Sequence, residues 1–130
     1  MRTPGPELVE AAAAAAASKN AERIVILDVS KQLVITDHFL ICSGNSDRQV
    51  KSIADEVQKV LAADENVKPF RREGEREGRW VLLDYVDFVV HVFHKDDREY
   101  YDLERLWSDA PKVEYEERWE QSDERSRAAT

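Results

Sequence analysis

The chain has 130 residues and a formal net charge of −8, with 27 acidic against 19 basic side chains and a single cysteine. That length favours one domain with a hydrophobic core large enough to need no disulfide or metal staple. The acidic balance argues against broad binding to a phosphate backbone, which requires clustered Lys and Arg, and suits a basic partner.

Pro4, Gly5 and Pro6 mark residues 1–6 as a flexible start. Alanine is the best helix former, so a first helix is expected from Glu7 to Lys19, with Leu8, Ala11, Ala12 and Ala15 as a thin apolar stripe and Asn20 as its stop. No apolar run approaches membrane-spanning length. Glu7 and Glu10 stand before the alanine run where a signal peptide would be basic, so a cytoplasmic protein is expected. Ile24-Val25-Ile26-Leu27 has the continuous apolar character of a central strand. A polar connection, Asp28 to Gln32, follows; Leu33-Val34-Ile35 either starts the next strand or packs as a turn, and His38 to Ser43 is the clear second strand. Ser46 and Gln49 have capping-box spacing, and open a helix to about Ala63 with Val50, Ile53, Ala54, Val57, Val60 and Leu61 at helical spacing. Val67 to Arg72 reads as a short strand, pushed to an edge by Pro69. A charged turn, Glu73 to Gly78, leads into WVLLDYVDFVVHVF, residues 80–93.

This last stretch predicts two strands joined at Asp84-Tyr85-Val86-Asp87. Trp80, Leu82 and Asp84 alternate with Val81, Leu83 and Tyr85; Phe88, Val90 and Val92 alternate with Val89, His91 and Phe93. Both faces are largely apolar, whereas an antiparallel strand in a small domain commonly shows water one polar face. Asp96 and Glu99 are spaced to cap a last helix carrying Tyr100, Leu103, Leu106 and Trp107, with Pro111 as its end. Residues 111–130 read as a charged, partly disordered tail, in which Tyr115 and Trp119 are spaced to dock a short helix. The fold class expected is α/β (α+β): one domain over residues 7–110, with a mixed five-stranded sheet flanked by helices.

Four chemistries are testable on these residues. His91, His94, Asp96 and Asp97 are close in sequence, but residues 91 and 94 of one strand point to opposite faces, and no zinc-motif spacing is present, so no metal is expected. Ser43-Gly44-Asn45-Ser46 follows a strand and opens a helix, as in nucleotidyltransferases, but the paired carboxylates that would hold two metal ions are missing. Cys42, in the apolar run Phe39-Leu40-Ile41-Cys42, reads as an inert buried thiol, and Ser43 and Ser46 lack an elbow motif. Arg71, Arg72, Arg76 and Arg79 are interleaved with Glu73, Glu75 and Glu77, which reads as a solvated loop rather than a nucleic-acid site. What remains is the hairpin, where Trp80 and Tyr85 are aromatics of the kind enriched in interface cores.

Three motifs resemble the Iojap family, the ribosomal silencing factors. They are Asp28-Val29-Ser30 with Thr36-Asp37-His38-Phe39-Leu40-Ile41-Cys42-Ser43-Gly44-Asn45-Ser46-Asp47-Arg48-Gln49-Val50; Trp80 to Tyr85 with Val89 to Phe93; and Arg98 to Trp107. The resemblance implies a nucleotidyltransferase-like fold without the catalytic acids, no enzymatic activity and no cofactor. It further implies binding to the large ribosomal subunit through its fourteenth protein, steric blocking of small-subunit joining under nutrient limitation, and a homodimer when free. A role in large-subunit maturation is the alternative, and a nucleotidyltransferase-type enzyme a more distant one. On this reading Trp80, Leu82 and Tyr85 supply apolar contact, Asp84 and Asp87 meet basic side chains, and Arg98 and Tyr101 add rim contacts. Neither a membrane nor sequence-specific nucleic acid is implied as a partner.

Overall fold

The computed structural model describes residues 6–113. Residues 1–5 and the Tyr115 and Trp119 positions of the expected tail lie outside the described residues. In chain order the elements are α1 (Pro6–Ser18), β1 (Glu22–Asp28), β2 (His38–Gly44), α2 (Asp47–Glu65), β3 (Arg71–Glu73), β4 (Trp80–Asp84), β5 (Phe88–His94), α3 (Lys95–Tyr101), α4 (Leu103–Leu106) and β6 (Lys112–Val113).

The strands form one mixed sheet in the order β3-β4-β5-β2-β1-β6. β2 and β5 are parallel, and the other neighbours are antiparallel. Six strands stand where five were expected. The sixth, Lys112–Val113, pairs with β1 opposite Ile26 and Leu27, so two residues just beyond Pro111 join the sheet. A two-residue strand has no periodicity to read, and only its partner creates it. The sheet's centre is β2, where Phe39, Leu40, Ile41 and Cys42 are all buried, as a run covered on both faces requires.

α1 and α2 cover one face. α2 presents Val50, Ile53, Ala54, Val57 and Leu61 to the sheet, as its spacing predicts. The α1 stripe is rotated from the expected one: Val9, Ala12, Ala13 and Ala16 are fully buried, while Leu8 and Ala11 are only half-buried. In an alanine run every side of the helix looks alike, so contact with α2 and the sheet selects the face. The Ser46 half of the expected capping box is present, with the Gln49 N–H donating to Ser46 Oγ at 3.1 Å, while Gln49 Oε1 accepts the Asn45 N–H at 2.6 Å rather than that of Ser46. Gln49 also ties two elements together, since its side-chain amide donates to the carbonyls of Lys19 and Asn20 just after α1.

The expected last helix is broken. Asp102 has a left-handed backbone (φ 47), closing α3 and opening α4. The cap of α3 is His94, whose Nδ1 accepts the Asp96 N–H at 3.2 Å; Asp96 itself lies in the first turn. β3, Arg71–Glu73, overlaps the expected Val67 to Arg72 only at Arg71 and Arg72, and lies at the sheet edge. Leu33-Val34-Ile35 forms a turn, not a strand. No helix among the described residues is long and apolar enough to cross a membrane.

Candidate partner-binding surface

The second face of the sheet is built from the other half of each strand's alternation. Trp80, Leu82 and Asp84 of β4 stand opposite Phe93, His91 and Val89 of β5, and Phe39 and Ile41 of β2 continue the face beyond Val89 and His91. Its core is Leu27, Val29, Phe39, Ile41, Phe93 and Ala110, with Leu103 and Trp107 packed over it from the α3–α4 side. Trp107 meets Phe39 edge-on at 5.4 Å. This cover is partial. Beside it lies a groove of about 360 Å³ lined by Leu33, Phe39, Leu82, Val89 and His91 and rimmed by Ile35, Phe70 and Val86. Ile35 is 81% and Phe70 79% exposed, which is costly for large apolar side chains grouped on one surface.

Trp80 is half-buried and joins both environments. Its ring packs at 4.7 Å on Phe93 beneath and at 4.7 Å on Tyr101 outside, and its Nε1–H donates to His91 Nδ1 at 3.1 Å. Gly74, at φ 81, lets the β3–β4 turn pass directly over the Trp80 backbone, where a Cβ would overlap the Trp80 carbonyl. On the Tyr101 side of Trp80, Tyr101 and the Tyr100 ring packed edge-on against it are exposed. Apolar surface therefore lies both at the groove beside Leu82 and at the tyrosine pair beside Trp80.

The hairpin turn is strained. Asp87 N–H donates to the Tyr85 carbonyl at 2.9 Å around Val86, whose φ is 74. This has the form of a positive-φ γ-turn, rare even for unbranched residues. Asp84 Oδ1 braces it by accepting the Val86 N–H at 2.8 Å, and Asp84 Oδ2 stands 3.8 Å from Arg71. Asp87 is half-buried, and its carbonyl accepts the Asp37 N–H at 2.9 Å.

Two of the expected contact residues face elsewhere. Tyr85 alternates to the helix side, is buried, and stacks on Phe88 at 4.9 Å; burial pushes its phenol up to about 12. Arg98 is 2% exposed. Its Nε donates to Glu104 at 3.0 Å, and Nη1 lies 3.4 Å from the Glu22 carbonyl and from Ser43 Oγ. Burial pushes the Glu104 carboxyl up, but the Arg98 hydrogen bond and charge, with Arg23 beyond, outweigh it and hold it below the usual range. Arg98 thus fastens α3 and α4 to the sheet, and nothing in the sequence distinguishes it from a surface arginine.

The remaining candidates resolve into structural roles. Burial drives the Cys42 thiol up to about 12, far from a thiolate nucleophile at neutral pH. His91 and His94 are each engaged through Nδ1, by Trp80 and by Asp96. Arg71 and Arg72 lie near Glu73 and Glu75, while Arg79 clamps Asp97 at 2.6 Å and reaches Asp47 at 3.5 Å. The Arg79–Asp97 link, from the end of the charged turn to α3, is more than a solvated loop.

The family model described as "Ribosomal silencing factor during starvation" matches residues 3–130. This chain belongs to the ribosomal silencing factor family. It is 51% identical over 110 residues to ribosomal silencing factor RsfS of Halalkalibacterium halodurans, covering 85% of this chain and 93% of that protein. It is 52% identical over 105 residues to RsfS of Bacillus subtilis, covering 80% and 87%. A crystal structure of a Chromobacterium violaceum protein superposes with a TM-score of 0.78 at 36% identity, covering 82% of this chain and 88% of that one. A more distant relative is "Mitochondrial assembly of ribosomal large subunit protein 1" of mouse, 30% identical over 95 residues, 69% of this chain and 40% of that protein.

Proposed function

We propose that this chain docks on the large ribosomal subunit through the subunit's fourteenth protein, using the face built around Trp80, and that its bulk then blocks joining of the small subunit. The observation that carries this reading is the incompletely covered sheet face, where the apolar surface beside Trp80 and Leu82 has no partner among the described residues large enough to bury it. Trp80 and Leu82 form the centre, and Tyr101 with Ile35, Phe70 and Val86 the surround. Asp84 and Asp87 lend the turn negative charge that steers a basic ribosomal protein. Tyr85 and Arg98 contribute from behind, by holding the hairpin and α3 in place. The protein acts by steric exclusion in the cytoplasm, with no cofactor, and free copies pair through an overlapping part of the same face.

Sedimentation with separated, mature ribosomal subunits tests this. Co-migration with the large subunit alone, with fewer joined ribosomes, is the expected result. Absence of binding to either mature subunit would overturn it. The mouse relative's name favours a second reading, in which the same face docks on immature large subunits during assembly; binding only to those particles would establish it.

A further inference from the structure

Arg79 stands at the end of the charged turn, directly before Trp80, and two helices converge on it. Its Nη2 donates to Asp97 Oδ1 of α3 at 2.6 Å, and its Nη1 lies 3.5 Å from Asp47 Oδ1 in the first turn of α2. The backbone is held as well: the Arg79 carbonyl accepts the His94 N–H at 2.7 Å, just before α3 begins. Gly78, at φ 70, brings the turn against α2, where a Cβ would lie 2.9 Å from the Asp47 carbonyl oxygen. The guanidinium is therefore fixed between α2 and α3.

The carboxylate it holds shares a helical stripe with Tyr101. Residues four apart on a helix are neighbours on one face, and Asp97 and Tyr101 are so spaced in α3. Asp97 meets Arg79, while Tyr101 meets the Trp80 ring at 4.7 Å. Two consecutive residues, Arg79 and Trp80, thus take up one stripe of the helix. The other polar anchors of α3 lead elsewhere. Glu99 pairs with Arg23 of β1 at 3.1 Å, and Arg98 is directed to Glu104, to the Glu22 carbonyl of β1 and to Ser43 of β2. Among the described residues, Arg79–Asp97 is the ion pair that holds α3 to the strand bearing Trp80. Tyr101 is 48% exposed, so packing alone restrains its ring weakly, and ordering it costs rotamer freedom.

We propose that Arg79 is a positioning residue for the docking face: by holding Asp97 it sets α3 so that Tyr101 lies on Trp80, and the two rings are presented as one preformed surface. A docking partner then orders fewer groups on contact, which favours binding. The pair is partly exposed, with side chains 44% and 21% accessible, so it adds little to stability and acts through placement. The inference rests on docking at this face, but the ring contact is read on the free protein.

The test compares Arg79→Gln, Asp97→Asn and the double variant with wild type. NMR of aromatic-labelled free protein reads the Trp80–Tyr101 ring NOEs, and large-subunit affinity and the urea midpoint are measured alongside. Each single variant is expected to weaken the NOEs and to lower affinity per folded molecule about fivefold. The double variant should add nothing further, because both changes act through one link. Urea midpoints should stay close to wild type. Glu99→Gln removes the exposed pair with Arg23 from another side of α3, and should leave NOEs and affinity unchanged. The two single variants break the link from opposite ends, so either decides where the other fails to fold. NOEs that persist in both, an additive double variant, or an equal loss in Glu99→Gln would overturn the proposal. So would a lost ring contact with unchanged affinity. A wild type that binds no large subunit overturns the docking reading instead, and the NOEs still decide whether Arg79 sets Tyr101.

Discussion

At the scale of single residues, His91 and Trp80 act as a pair. Burial lowers the His91 pKa from 6.5 to about 4. The unfolded chain takes up the proton near 6.5, whereas the folded chain resists it until about 4. The stability from keeping His91 neutral is therefore fully present above pH 6.5 and is lost as pH falls from there to 4. We expect wild-type protein to lose on the order of 3 kcal/mol more than His91→Phe across that window, read as the difference in urea midpoints at several pH values. Trp80→Ala should weaken large-subunit binding by about 2 kcal/mol or more. If stability falls but binding per folded molecule does not change, Trp80 is a core residue and not an anchor. The sequence marks Trp80 as a large aromatic on an apolar face, and that reading reaches the right strand face. It cannot show the indole hydrogen bond to His91, which depends on β4–β5 register.

At the scale of elements, the hairpin turn and the α3–α4 segment decide the shape of the surface. Val86 holds φ 74 despite its branched side chain, and strain of this kind persists where the surroundings or a function demand it. Val86→Gly should relieve it and raise stability by about 1 kcal/mol, while removing apolar rim and weakening docking; thermal unfolding and sedimentation read the two effects separately. Arg98→Met should destabilise by about 3 kcal/mol, because Glu104 and the Glu22 carbonyl lose a buried cationic partner. Denaturant titration measures it, and loss of Trp107 burial should accompany it. Helical periodicity locates α2 well, since its apolar positions repeat over about three turns, from Val50 to Leu61. It fails on the last helix, because the break at Asp102 is a single left-handed residue, which Asp tolerates and which leaves the apolar spacing on either side unchanged.

At the scale of the whole molecule, a net charge of −8 and a partly covered apolar face work on different parts of binding. Charge acts at a distance and sets encounter, whereas apolar contact acts after desolvation and sets residence. Raising ionic strength should therefore slow association with the large subunit and leave dissociation nearly unchanged, as stopped-flow or surface-based kinetics would record. If dissociation carries the salt effect instead, the ion pairs are central and the apolar centre is misplaced.

By itself the sequence determined α1, α2 and the four longer strands of the central domain, the cap at Ser46, the stop at Asn20, the two-faced apolar hairpin and, through three motifs, the family. Those features are local: spacing, turn chemistry and short motifs survive in one dimension. Only the tertiary structure decided that β6 joins the sheet, that Tyr85 and Arg98 face inward, and that Ile35, Phe70 and Val86 meet around one groove with His91 at its floor. These residues lie far apart in sequence and become neighbours through the β3-β4-β5-β2-β1-β6 strand order. Burial, unlike periodicity, is a property of what packs on top.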